Sequence, residues 1–211
     1  MVQNFDPIKN FHEHVCGFHF YSHDMNRQVE AHHYCSHLNP DVRQCVIYDS
    51  DKSDARLIGV EYIISAKLFQ TLPEEEKKYW HSHVYEIKSG MLILPTGSLV
   101  PTVAVDKVEE TALEELIKTW HFWQVDAGHP LPYGPPQLMM AFVDDNQLSQ
   151  SALDDRDKRY NVSTAYKRQV REVIHPKYSR DVGADHWVTR DDGKAYQVEM
   201  RLVEQKKIDK K

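Results

Sequence analysis

The strongest chemical signal in this 211-residue chain is a run of imidazoles. His12, His14, His19, His23, His32, His33 and His37 place seven of the 13 histidines between residues 12 and 37. Histidine is the commonest metal ligand and the side chain that titrates near neutrality. A second knot, Trp80-His81-Ser82-His83-Val84-Tyr85-Glu86, repeats the theme. In an extended chain, His81 and His83 point the same way, about 6.6–6.8 Å apart along the backbone, so both can converge on one ion. Glu86 completes a two-histidine, one-carboxylate set provided that the chain leaves strict extension after His83. Such a set with open positions suits Fe(II) redox chemistry, and three protein ligands with a bound water suit zinc hydrolysis. In the first knot, extension over 29–37 sends His33, Cys35 and His37 to one face and His32 and Tyr34 to the other. The sequence therefore points to a divalent metal ion (Fe, Zn, Mn or Cu) held by His81, His83 and Glu86, with His32 or His33 completing the shell. Cys35, His37 and Glu61 are second choices.

Each of these groups also has a plainer role. Histidines in half-buried strands often only hydrogen-bond a backbone carbonyl, and His12, His14, His19 and His23, in a polar N-terminal segment, are expected on the surface. Cys35 or Cys45 would be a redox-sensing or nucleophilic thiol only with an adjacent base and a lowered pKa. Trp120-His121-Phe122-Trp123 is either the wall of an apolar pocket or simply core. The chain has no Gly-rich phosphate loop, G-x-S-x-G elbow, H-E-x-x-H helix or kinase-type motif.

The elements that must position these residues read as follows. Val42–Tyr48 and Leu57–Ile64 are rich in β-branched and aromatic residues around the polar loop 49–54, and with the segment from Gln28 they suggest a three-strand antiparallel meander. The stretch 28–37 is alternatively a helix. Thr71-Leu72-Pro73-Glu74 has capping-box spacing, which predicts a short helix to about Tyr79. Met91–Leu94, Leu99–Val105, Phe122–Val125 and Leu138–Val143 read as short strands. Asp106–Trp120 reads as the clearest helix, with Val108, Leu113, Leu116, Ile117 and Trp120 on one face. Residues 144–162 read as irregular, and Tyr166, Val170 and Val173 as a helix. His186–Arg190 and Ala195–Val203 flank a hairpin signal at Asp191-Asp192-Gly193-Lys194. The expectation is a single α+β domain over 1–211: a mixed, mainly antiparallel sheet with a few helices, an N-terminal segment 1–25 and a C-terminal extension 176–211 ending in a hairpin and a frayed tail.

Composition narrows the partners. A net charge of -6 argues against nucleic acid, which needs clustered Lys and Arg. The longest apolar stretch, Leu138–Val143, falls far short of the ~20 residues of a membrane-spanning helix. Three cysteines with no C-x-x-C pair and no signal-peptide pattern suggest a reduced, cytoplasmic protein without a disulfide framework. A homo-oligomer is compatible with all of this.

His81 to Gly90 is similar to the first metal-binding motif of cupins, with shorter spacings and no leading glycine. A longer resemblance lies in the runs 32–39, 43–50, 55–65, 80–86 and 135–140, which include His32-His33-Tyr34-Cys35-Ser36-His37 and Trp80-His81-Ser82-His83. These strings resemble the oil-body-associated protein family over roughly residues 5–175. The resemblance implies association with lipid droplets, as in seed oil bodies, although relatives in fungi and bacteria imply a broader role; it carries over no catalytic residues.

Two functions follow. One is a metal-binding protein, and if an enzyme then a metal-dependent oxidoreductase or hydrolase acting on a small or lipid-derived substrate, with only indirect droplet association. The other is a non-catalytic lipid-droplet or scaffold protein with structural histidines. An amphipathic coat helix should carry a basic polar face, whereas the polar face expected for 106–120 is acidic, which favours the first.

Overall fold

The computed structural model describes residues 3–95, 115–174, 183–190 and 192–205. Among these, β1 (Glu13–Tyr21), β2 (Asp24–Asn39), β3 (Val42–Tyr48) and β4 (Leu57–Ser65) run as an antiparallel meander. β6 (Glu115–His121) then pairs antiparallel with β4, and β7 (Gln137–Met140) bridges β6 to β1. The ring β1–β2–β3–β4–β6–β7 closes on itself. The fold is thus an antiparallel six-strand β-barrel with a few short helices, not the mixed α+β sheet expected from the sequence.

β7 fills only one half of the last seam. In the other half, the two-residue strand β5 (His81–Ser82) pairs with Ile117 and Leu116 of β6, and Ile93 bridges to Cys16 of β1. Between them the chain turns helical at His83 and forms α4 (Val84–Ser89), ended by Gly90 at φ 82°. The second histidine knot is therefore a plug in the barrel wall.

The remaining helices lie outside the ring: α1 (Asp6–Lys9), α2 (Ala66–Gln70), α3 (Glu74–Lys77), α5 (Gln150–Tyr160) and α6 (Thr164–Val170). Two buried arginines tie α5 and α6 to the plug. Arg156 donates to the carbonyls of Met91 and Gly90, and Arg171 donates to those of Ile87 and Leu92. On the other flank, Asp185 accepts from the Ser82 amide and hydroxyl at 3.1 and 2.7 Å, so the C-terminal segment clamps β5.

Several local expectations fail for physical reasons. Glu115–His121 is a strand with neighbours on both edges; its residues Leu116, Ile117 and Trp120 mimic a helical face because both sides of the strand are covered. The rest of that expected helix, and Leu99–Val105, lie outside the described residues. Phe122–Val125 is not a strand; a 3-10 turn starts at Val125. Thr71 does not cap the following helix: its hydroxyl donates back to the Leu68 carbonyl at the end of α2, and α3 is a single turn. Residues 150–160 are helical, whereas His186–Val188 is a 3-10 turn and 192–205 carry no strand.

Candidate metal centre in the barrel

Alternation along each strand decides what enters the barrel. β1 sends in Gly17 and His19, β2 His33 and Cys35, β4 Gly59 and Glu61, and β6 Ile117, Thr119 and His121. The plug adds His81, His83 and Glu86. His19, His33, Glu61, His81, His83, Glu86 and His121 are all buried, with His81 fully inaccessible. A barrel centre is normally filled by aliphatic side chains; here it holds five imidazoles and two carboxyl groups.

Gly59 makes the room. A Cβ there would lie 2.4 Å from the Trp120 carbonyl oxygen and 2.8 Å from His121 Cδ2. Glu61 is the hub: its Oε2 accepts from Thr119 Oγ1 at 2.7 Å and lies 3.3 Å from His33 Nε2 and 3.5 Å from His19 Nε2. His19 Nδ1 and His121 Nε2 are 3.2 Å apart. His33 Nδ1 sits 3.3 Å from the Val15 carbonyl, so the ring is held between that carbonyl and Glu61. His83 Nε2 is 3.8 Å from Glu86 Oε2.

Two groups in this cluster have ion-binding proportions. One ligand atom each from His19, Glu61 and His81 lie within 4.8 Å of one another, and the same holds for His81, His83 and Glu86. Several of these atoms are buried without a hydrogen-bond partner: both ring nitrogens of His81, His83 Nδ1, His121 Nδ1 and Glu86 Oε2. Native interiors rarely leave such groups unmade. The electrostatics suit a cation. Burial holds His81 and His121 well below the usual imidazole range and His83 down to about 4, which favours the neutral, ligating form of these rings. Burial likewise lowers His19, against the pull of Glu61. Burial would lower His33 too, but the Glu61 charge overrides it and raises the ring. Burial works against the charge on Glu61, yet His33 and His19 hold it well below the carboxylate range. Burial, with Glu61 and Asp185 nearby, pushes Glu86 well above it.

A cavity of about 30 Å³ touches His33, Glu61 and His83 and extends towards Glu13, Arg43 and Glu115. Arg43 pairs with Glu115 at 2.9 Å and reaches Glu13 at 3.8 Å. The space is that of one water molecule.

Of the residues expected from the sequence, His81, His83, Glu86, His33 and Glu61 converge in the barrel. His32 does not. It lies on the outer face of β2, where Nδ1 is 3.1 Å from His14 Nε2 and Nε2 is 3.0 Å from Glu30 Oε1. Cys16 and Arg159 also bond Glu30, so this outer group is satisfied within itself. His37 sits near the barrel end, bonded to Glu13 at 2.8 Å and stacked on His12. Cys35 is paired with Cys45 in a disulfide across β2 and β3, contrary to the reduced-thiol expectation, so its sulfur is not available as a ligand or redox-sensing thiol. The free Cys16 is buried, and burial with Glu30 raises its thiol beyond the ordinary range. His19 was expected on the surface and His121 in an aromatic wall; both lie in the centre. The Gly17-x-His19-x-Tyr21 alternation was the available signal for His19.

The outer surface offers one further feature. Ile8, Phe11, Tyr34, Val46, Tyr48 and Leu57, with Ser50, Lys52, Ser53 and Ala55, line an open groove of about 560 Å³. Phe5, Ile8 and Leu57 are about half or more exposed. No helix among the described residues is long and apolar enough to cross a membrane.

Fold and centre together define a class: closed antiparallel barrels with a sealed polar interior and an apolar outer groove. The family model described as "Protein of unknown function (DUF1264)" matches residues 5–175. Oil body-associated protein 1B of Arabidopsis thaliana is 46% identical over 209 residues, covering 99% of this chain and 83% of that protein. Oil body-associated protein 1A of Zea mays is 45% identical over 207 residues, 96% of this chain and 82% of that protein. The chain belongs to the oil body-associated protein family. No solved structure matches it.

Proposed function

We propose that this chain acts at lipid droplets, docking from outside as a folded barrel. The observation that carries this is the near full-length likeness to oil body-associated proteins of two plants. It favours the droplet reading of the sequence over the enzyme reading. The objection drawn from an acidic coat helix over 106–120 loses the part of that helix from Glu115 on, which is a strand. The groove around Ile8, Phe11 and Leu57 supplies apolar surface for contact with a phospholipid monolayer. Flotation of tag-free protein with artificial droplets, triacylglycerol under a phospholipid monolayer, tests this. Co-flotation of purified protein is expected; protein left wholly in the subphase would overturn direct docking.

A second reading concerns the interior. We propose that the barrel holds a divalent metal ion, because buried imidazole nitrogens and a carboxyl oxygen there lack partners. The all-nitrogen and oxygen donor set fits Zn, Cu, Fe or Mn. The adjoining space admits a ligand of water or dioxygen size, which argues for a small molecule over a lipid-derived one in any chemistry at this centre. Elemental analysis of protein purified without a nickel column is the test. Metal that is lost in a His81→Ala/His83→Ala variant is expected. No metal, even after anaerobic incubation with each ion, would make the histidines structural.

A further inference from the structure

We propose that the barrel centre takes two divalent ions, with His81 between them; this rests on the metal reading above. The two ligand groups, His19/Glu61/His81 and His81/His83/Glu86, meet at this one residue. Ligand bonds of about 2.0–2.2 Å put two ligands of one ion at most ~4.4 Å apart. Either triangle, with edges up to 4.8 Å, therefore closes on an ion with shifts of a few tenths of an ångström.

Accounting for the buried atoms decides between one ion and two. An ion in the first triangle satisfies one nitrogen of His81 and leaves the other nitrogen, His83 Nδ1 and Glu86 Oε2 without partners. An ion in the second triangle alone leaves the other His81 nitrogen without a partner. A buried polar group left without a partner is costly and rare in native interiors. Two ions remove both deficits. The His81 ring is fully inaccessible and both its nitrogens are unpartnered, as a bridging ring requires. One ion takes the lone-pair nitrogen of the neutral ring. When the second binds, the N–H proton leaves to solvent and the resulting imidazolate ligates both. Glu86, whose burial favours the protonated form, gives up its proton to solvent as its oxygen takes an ion; the carboxylates of Glu61 and Glu86 and the imidazolate then offset three of the four positive charges. His33 stands beside the first ion, and His121 supports His19 from behind.

The test is a titration of metal-free, tag-free full-length protein carrying His12→Ala and His37→Ala. These changes remove the exposed His12/Glu13/His37 group, which could take an ion of its own. The outer Cys16/Glu30/His32 group is already closed by its own contacts and by Arg159. Zn(II) binding is expected to plateau at two ions per chain, with release of protons from both the His81 ring and the Glu86 carboxyl group. With Cu(II), the EPR signal should grow to one equivalent and largely vanish at two, since an imidazolate couples the two unpaired electrons. Adding His83→Ala and Glu86→Gln should leave one ion and a visible signal; circular dichroism checks that this variant folds, and the parent titration decides on its own if it does not. A plateau at one ion would overturn the two-ion centre while leaving the metal reading intact. Two ions with the full uncoupled signal would overturn the shared His81. No binding at all would overturn both.

Discussion

At the scale of single residues, the centre is organised around Glu61, and Thr119 holds that carboxylate in place with a 2.7 Å hydrogen bond. Thr119→Val keeps the shape and removes only the donor. Loss of such a supporting bond typically lowers metal affinity about 10- to 100-fold, so competition with a chelator should show that loss while the melting profile of the metal-free protein changes little. Two histidines away from the centre make the fold pH-sensitive. Burial, with His32 next, lowers His14 to about 4, and burial, with Arg190 next, lowers His186 to about 4, against 6.5 for a free imidazole. Between pH 6.5 and 4 the unfolded chain takes up protons at these positions that the folded chain refuses. Stability should therefore be intact above pH 6.5, fall as pH drops through this window, and gain no further penalty from these groups below 4. Urea midpoints of metal-free protein at pH 7, 5.5 and 4.5 measure this, and His14→Asn with His186→Gln should flatten the slope. An unchanged slope would assign the sensitivity to other groups.

The barrel depends at the scale of its elements on the seam between β4 and β6. Gly59→Ala forces a Cβ to 2.4 Å from the Trp120 carbonyl, where backbone must move. Overpacking of this kind costs about 1–3 kcal/mol or more, and thermal melting should show the loss together with weakened metal binding through His121. The plug is equally exposed to a single change: Arg156→Leu strips donors from the Met91 and Gly90 carbonyls, each worth about 1–3 kcal/mol when left unmade. Hydrogen exchange should then rise first in α4 and the residues after it, before the β2–β4 meander. That meander was legible in the sequence because its strands carry β-branched residues around clear polar turns. β1 was not, since His19 counts as polar wherever it lies, and only closure of the ring buries it. β6 was misread because a strand covered on both faces has no empty face to break the helical spacing. The plug's convergence on Glu61 was half legible: His81, His83 and Glu86 stand close in sequence, whereas their partners come from strands whose order only the pairing of distant segments reveals.

Across the whole molecule, the sealed centre and the apolar groove lie on opposite sides of one barrel wall, so metal content and droplet docking should be separable. If the proposed metal is bound, stripping it should leave flotation unchanged, while Ile8→Asp with Leu57→Asp should abolish most flotation and leave any metal stoichiometry intact. The charge balance sharpens this into a test of what drives docking. The chain carries a net charge of -6, so an anionic monolayer repels it on average, and salt screens that repulsion over a Debye length of about 10 Å at 0.1 M. Docking through apolar contact should hold steady or strengthen between about 0.05 and 0.5 M salt. Docking through a local basic contact, for which Lys52 in the groove lining is a cation, would weaken over the same range. A fall in flotation with salt, retained in the Ile8→Asp/Leu57→Asp variant, would move the contact away from the groove; steady flotation that the variant loses would fix it there.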